Sequence, residues 1–441
     1  MNPETSPSQI TRREMLSRTG ALGAGILASN LVLPGTARAA APDVLRVGLV
    51  GCGGRGTGAC DQTLSVPNSY VKLVAMGDAF DDRLKGSFDQ LKKKHADKVD
   101  VPEDRKFVGL DAYQKVMEHC DVVILATPPG FRPFHFEAAI KAGKHVFMEK
   151  PVCIDAFGAR LVTEIAKLAD EKKLKVVVGL QRRYEASYRA AYEQVKNGIL
   201  GDILAAQVYW NGGAIWYRDR KPDTTEMQFQ IHNWYHFLWT SGDHICEQHV
   251  HNLDVANWFL NALPVEASSG LGGRQVRTPG KPSEIYDHHA IEYRYPNGTI
   301  LTSQCRQING SKGEMREEFH GTKGVLNTHP GFAEVKDYSG KVLWKFQGEN
   351  PNPYQVEHDE LHAAILNDKP LNNAYYGVTS CFTAVLGRNS DYTGQPWKWD
   401  DAWKLNDRTM PENVASNTNP PHMPDKDGLY PIPTPGEYKL K

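Results

Sequence analysis

Val44-Leu45-Arg46-Val47-Gly48-Leu49-Val50 runs straight into Gly51-Cys52-Gly53-Gly54-Arg55-Gly56, and from Thr57 the chain can continue as a helix. The aliphatic run, bounded by Pro42 and glycines, reads as a buried strand. The G-x-G-x-x-G after it suits a strand-to-helix turn: Gly51 allows the tight turn, Gly53 admits a pyrophosphate against the backbone, and Gly56 lets helix and strand pack. Gly54 and Arg55 lie in the same loop, whose helix N-terminus faces the phosphates. Taken alone, the loop could be a glycine-rich turn without a ligand.

The surroundings decide in favour of a nucleotide. Val71-Lys72-Leu73-Val74-Ala75-Met76-Gly77-Asp78 reads as a second strand ending in an acid. An acid there accepts hydrogen bonds from the adenosine ribose and repels a 2′-phosphate, so NAD is expected rather than NADP. Asp81 and Asp82 add negative charge, Arg83 argues the other way, and Asp78 could instead cap the next helix. Further on, Asp121-Val122-Val123-Ile124-Leu125-Ala126-Thr127-Pro128-Pro129 is an apolar strand ending in a turn. A helical segment through Ile140 follows, and His145-Val146-Phe147-Met148-Glu149-Lys150-Pro151 is another strand with charges at its carboxyl end. Ligands of open α/β sheets sit at those ends.

The chain has 441 residues, 40% of them hydrophobic, with 51 basic and 52 acidic side chains and a net charge of −1. That length fits two or three domains, and the charge balance gives no footprint for nucleic acid. With 39 Gly and 27 Pro, collagen and wholesale disorder are excluded.

Three motifs carry a resemblance: Gly51-x-Gly53-x-x-Gly56, Ala126-Thr127-Pro128-Pro129, and Ala142-Gly143-Lys144-His145-Val146 followed by Glu149-Lys150-Pro151. Together they resemble the glucose–fructose oxidoreductase / inositol dehydrogenase (Gfo/Idh/MocA) family. Gly179-Leu180-Gln181-Arg182-Arg183-Tyr184 is similar to its Gly-x-Asn-Arg-Arg-Phe segment. Gly198 to Ile203, Glu318 to Gly324, and Thr393-Gly394-Gln395-Pro396 extend the likeness over most of the chain. The resemblance implies a Rossmann domain over 40–180 and an α+β substrate and oligomerisation domain over 181–400, with a large, mostly antiparallel sheet. Homo-oligomers, dimers or tetramers, are expected.

Ser241 to Trp258 carries the chemistry. Read as a helix from Asp243, it puts Glu247, His251, Asp254 and Trp258 on one face. The family has Asp-x-x-x-His here, with the His as acid/base; this chain has Glu247 in the Asp place. By that likeness His251 takes the hydroxyl proton, Lys150 stabilises the oxygen, and Glu149 fixes the lysine and the nicotinamide ribose, with Thr127 and Pro128 also at the cofactor. Glu247, His249 and His251 are a rival metal set, but residues two apart on a helix point about 200° apart. His288 and His289, as neighbours, face opposite sides of a strand, so no metal is expected.

Aromatic residues Trp210, Trp216, Tyr217, Trp234, Tyr235, Phe237 and Trp239, interleaved with polar ones, suit a loop lining a sugar pocket. Arg182, Tyr184 and Trp234 are the candidate substrate contacts. A sugar, sugar derivative or glycoside is the expected substrate. A metal-dependent hydrolase, or a binding protein needing neither Lys150 nor His251, are the rivals.

At the N-terminus Thr11-Arg12-Arg13-Glu14-Met15-Leu16 resembles a twin-arginine export signature, followed by an apolar run to Leu33 and a small-x-small site at Ala37-Arg38-Ala39. Residues 1–39 are expected to engage the twin-arginine machinery and deliver a folded, periplasmic or exported protein. Seven scattered cysteines without C-x-x-C give no disulfide framework. Such a compartment holds little free NAD, so the nucleotide is expected to be bound tightly and recycled. Glycoside cleavage through a 3-keto intermediate is one possible outcome. Residues 401–441, rich in Pro, Asn and Asp, read as an extended arm on the surface or across a neighbouring subunit.

Overall fold

The computed structural model describes residues 44–67, 70–276 and 281–440; the twin-arginine and cleavage motifs lie outside the described residues. Among those residues no helix is long and apolar enough to cross a membrane. The first half is a six-stranded parallel sheet in the order β3-β2-β1-β4-β5-β6. Its strands are β1 (Leu45–Val50), β2 (Val71–Asp78), β3 (Lys106–Val108), β4 (Val122–Leu125), β5 (His145–Met148) and β6 (Val176–Val178). Central strands of such a sheet are covered on both faces and must be apolar throughout; every residue of the central β4 is buried, and so is every residue of β6 at the edge. The covering helices are α1 (Gly54–Leu64), α2 (Asp81–Lys94), α3 (Ala112–Met117), α4 (Arg132–Lys141) and α5 (Ala156–Glu171).

After α6 (Ala186–Lys196) the chain enters a nine-stranded sheet. Its centre is β7 (Ile203–Gly212), flanked by β10 (Ile300–Gln307) and β11 (Glu314–Gly321). The β7–β10 pair is parallel and the other pairs are antiparallel. Strand β9 (His288–Arg294) reaches β10 through a Tyr295-Pro296-Asn297-Gly298 turn, where Gly298 has φ 85. Burial alternates along β9 and β10, as one packed face requires.

Between β7 and β9 lie α7 (Glu226–His232), α8 (Leu238–Ser241), α9 (His244–Glu247) and α10 (Val250–Leu260). The chain then returns. Helix α11 (Pro353–Leu366) packs on α1 and the parallel sheet, and α12 (Ala374–Thr393), buried along its whole length, lies against α5, α10 and β9. The two halves therefore share one continuous apolar core. Beyond α13 (Trp399–Lys404) the tail has no regular structure. Within this chain it runs over its own surface: Met410 and Tyr430 pack with Phe131, Phe237 and Trp239, and the Thr409 N–H donates to Asp155.

Candidate active site

The turn from β1 to α1 shows what its glycines are for. Gly51 has φ 93, and a Cβ there would stand 2.6 Å from the Ala126 carbonyl carbon. A Cβ on Gly56 would stand 1.9 Å from the Gly51 oxygen, so only glycine lets the helix start so close to the strand. Gly53 and Gly54 are the reverse: a Cβ on either meets nothing within 4 Å. No side chain caps α1, whose N-cap is Gly53. Open backbone at an uncapped helix N-terminus fits a pyrophosphate. An apolar hollow beside it, lined by Val50, Asp78, Leu110, Tyr113, Thr127 and Pro128, fits an adenosine.

Asp78 ends β2 at this hollow. Its Oδ2 accepts from the Cys52 N–H (2.6 Å) and its Oδ1 from the Phe80 N–H (2.9 Å). It braces the loop rather than capping α2, whose N-cap is Phe80. Burial raises its pKa, although the two N–H donors oppose that. Arg83 reaches His232 at 3.4 Å, and its charge also opposes the rise at Asp78.

A cavity of about 400 Å³ opens at the carboxyl ends of β4 and β5, where the two halves meet. Arg55, Thr127 and Glu149 line it from the nucleotide side, and Lys150, Glu247 and His251 complete the polar wall. Lys150 Nζ donates to Glu247 Oε1 at 2.8 Å and to the Glu247 carbonyl. Glu149 does not fix the lysine as expected; it pairs with Arg55 Nε at 2.5 Å. The reason is spatial: Lys150 reaches across to the second half, while Glu149 turns back towards the glycine loop and packs under Gly179. Burial raises the Glu247 carboxyl, an effect that Lys150 and Tyr235 only partly offset. Burial, with the charges of Lys150 and Arg182, pushes His251 well below the usual imidazole range. The neutral ring lies near-parallel to Trp210, with centroids 5.7 Å apart, and its Nδ1 is buried with no hydrogen-bond partner among the described residues.

The single helix expected from Asp243 is two. At His249 the N–H bonds the His244 carbonyl, five residues back, and at His251 it bonds Gln248, three back, which resets the helical phase. Glu247 and His251 still share the cavity, but Asp254 pairs with Arg183 at 2.8 Å and Trp258 packs on Tyr192. His249 points away to Ser303 Oγ at 2.7 Å, so it and His251 do not converge.

Of the expected substrate contacts, Trp234 lines the cavity and the other two do not. Arg182 is buried beneath Trp210 in an ion pair with Glu317. Tyr184 sits in the core with its hydroxyl on Asn373. A 3-10 turn over Gln181–Tyr184 presents Gln181 to the cavity and drives Arg182 and Tyr184 inward. Of the aromatic cluster only Trp210 and Trp234 line it; Tyr235, Phe237 and Trp239 are core. Gln181, Gln248, Arg132 and Tyr354 were not singled out from the sequence. Asn352-Pro353 marks the start of α11 but carries no sign that Tyr354 would reach a site some 200 positions earlier in the chain.

Residues 45–180 match the family described as "Oxidoreductase family, NAD-binding Rossmann fold". Residues 188–327 match the "GFO/IDH/MocA C-terminal domain". The chain is 22% identical to inositol 2-dehydrogenase of Rhizobium meliloti, over 62% of this chain and 73% of that one. It is also 22% identical to an alpha-N-acetylgalactosaminidase of Shewanella oneidensis, over 94% of this chain and 96% of that one. The scyllo-inositol dehydrogenase of Lactobacillus casei, solved with NAD(H) and scyllo-inositol, has the same fold: TM-score 0.60 at 20% identity, over 81% of this chain and 99% of that one.

Proposed function

Because the chain belongs to the Gfo/Idh/MocA oxidoreductase family, we propose that its cavity oxidises and re-reduces one carbinol of a sugar, sugar derivative or glycoside. One observation carries this reading: Arg55 of the nucleotide loop, Thr127 beside it and the Lys150–Glu247–His251 group line the same cavity. Gly51, Gly53, Gly54 and Gly56, with Asp78, Thr127 and Pro128, would hold NAD, and Glu149 would meet its nicotinamide ribose. Bound there, NAD supplies the acceptance and return of hydride.

The protein's part is the proton and the oxygen. Hydride leaves a carbinol as a carbonyl only if the hydroxyl proton also departs. His251, kept neutral, takes that proton, and with Nδ1 buried the nitrogen left to take it is Nε2. The Lys150 ammonium hydrogen-bonds the same oxygen and stabilises its developing charge. Glu247 holds Lys150 in place. Trp210 and Trp234 offer faces to the C–H side of a ring, while Gln181 and Gln248 meet its hydroxyls.

A cycle that ends in glycoside cleavage is favoured by the near-full-length likeness to an alpha-N-acetylgalactosaminidase. In it a transient 3-ketone acidifies the C2–H, loss of that proton expels the aglycone, water adds, and hydride returns to the carbonyl. Such a cycle needs no free NAD. It suits the export reading of residues 1–39, in which a folded homo-oligomer reaches the periplasm with its nucleotide inside. The test is to purify the exported protein without added nucleotide, denature it and assay what is released. About one NAD(H) per chain supports the closed cycle. An empty protein whose turnover needs added NAD and releases stoichiometric NADH would contradict it.

A further inference from the structure

The turn that launches α9 holds a group of side chains that the chemistry above does not use. Asp243, His244 and His289 are completely buried, and one potential ligand atom from each lies within 4.8 Å of the other two. Asp243 Oδ1 stands 2.9 Å from His244 Nδ1 and 3.4 Å from His289 Nε2. The second separation is too long for a charge-assisted hydrogen bond, which closes to about 2.7–2.9 Å. It is the spacing of two ligands on one ion with bonds of about 2.0–2.2 Å. His289 Nε2 is buried and has no hydrogen-bond partner among the described residues, although it is aimed at Asp243.

The surroundings are those of oriented ligands. Asp391 Oδ2 accepts from His289 Nδ1 at 2.5 Å, which directs Nε2 inward; metal-bound imidazoles are fixed by a carboxylate in this way. Asp243 Oδ2 accepts from the Tyr392 hydroxyl (2.5 Å) and the Tyr286 N–H (2.9 Å), while Oδ1 accepts from the His244 N–H (2.5 Å) and faces both imidazoles. Asp243 also has φ 75, a conformation costly for a non-glycine residue unless its contacts over-determine it. Gly270 and Gly272 complete the enclosure: a Cβ on either would come within 2.5 Å of Asp391.

We propose that Asp243, His244 and His289 bind a divalent ion of the zinc class, which ties β9 to the turn carrying Glu247. Two imidazoles and a carboxylate are a borderline donor set, suited to Zn²⁺ rather than to Mg²⁺ or Ca²⁺. With all three ligands buried, the ion enters during folding and has no contact with substrate. It holds the helix that pairs Glu247 with Lys150, and it is separate from the cavity where hydride moves.

The test uses the full chain, made without a histidine tag in medium supplemented with Zn²⁺, dialysed against EDTA and analysed by elemental mass spectrometry. The expected result is about one Zn²⁺ per chain, lost in His289→Gln and kept in His249→Gln, whose imidazole faces Ser303. Less than about a tenth of an ion per chain, or Zn²⁺ retained by His289→Gln, would overturn the proposal. In the first case no ion is needed, and His289 is an imidazole held by Asp391 and facing Asp243. If His289→Gln does not fold, X-ray absorption of the native protein decides: scattering from two imidazoles supports the site, and scattering without them overturns it. None of these readouts depends on substrate turnover.

Discussion

On the parallel-sheet side of the cavity, the features that fit a nucleotide are main-chain ones: a positive φ at Gly51, open backbone at Gly53 and Gly54, and an uncapped helix end. On the other side everything depends on side chains. Lys150 meets Glu247 across 97 positions, and Trp210, Trp234 and Tyr354 arrive from three separate segments. The first kind of site is written into six consecutive residues. The second exists only once β7, α9, α10 and α11 have packed together. Mutations should therefore separate the two: nucleotide retention should follow the loop, and turnover the side chains.

The sharpest division is at His251. His251→Asn should cost about 10²–10⁴-fold in kcat, the range for a positioned general base, with the nucleotide still bound; co-purified nucleotide and turnover are measured on one preparation. Loss of both would make His251 part of the nucleotide site and blur the comparison. Next is Arg182, which lies behind the cavity wall. Arg182→Met strands Glu317 in the core and should remove about 3–5 kcal/mol of stability in denaturant titrations. A raised KM with stability unchanged would restore Arg182 as a substrate contact.

The glycines provide a paired test. Gly56→Ala forces the Gly51 carbonyl to move and should cost about 1–3 kcal/mol of stability. Gly53→Ala enters open space, so Tm should hold while nucleotide affinity falls about tenfold, or about 1.4 kcal/mol. If both variants behave alike, the distinction between a packing glycine and a ligand-facing glycine fails.

The smallest effect concerns pH. His251 is held well below the ordinary imidazole value, so kcat/KM should stay level as pH falls through about 6.5 and decline only further down. Stability follows the same sign. Below about pH 6.5 the unfolded chain binds a proton that the folded His251 refuses, so acid favours unfolding, and above that pH this group contributes no slope. Thermal melts between pH 5 and 8 would check it.

The same contrast explains what could be read from the amino-acid sequence. Strands β1, β2, β4 and β5 and the glycine turn were legible because burial on both faces leaves mostly apolar runs, broken in β1 and β2 only by Arg46, Lys72 and the terminal Asp78. Glu247 and His251 were placed in one site although the helix carrying them is interrupted, a break set by backbone bonds around His249 that no periodicity announces. Arg182 and Tyr184 were misplaced because a 3-10 turn reverses which of their neighbours faces outward. The link expected from Glu149 to Lys150 failed because the two neighbouring side chains diverge just past β5, Glu149 to Arg55 and Lys150 to Glu247. Tyr354 had no local signal, since its role depends on α11 docking beside α1.

The central claim is that one cavity joins the nucleotide loop to a proton-accepting His251. A single-turnover experiment tests it: protein loaded with oxidised NAD is mixed with a panel of sugars and glycosides, and the absorbance of bound reduced nicotinamide is followed. The account predicts that at least one member reduces the bound nucleotide in the wild type, and that His251→Asn slows this step by about 10²-fold or more while holding the same nucleotide. Reduction at an unchanged rate in His251→Asn would contradict it.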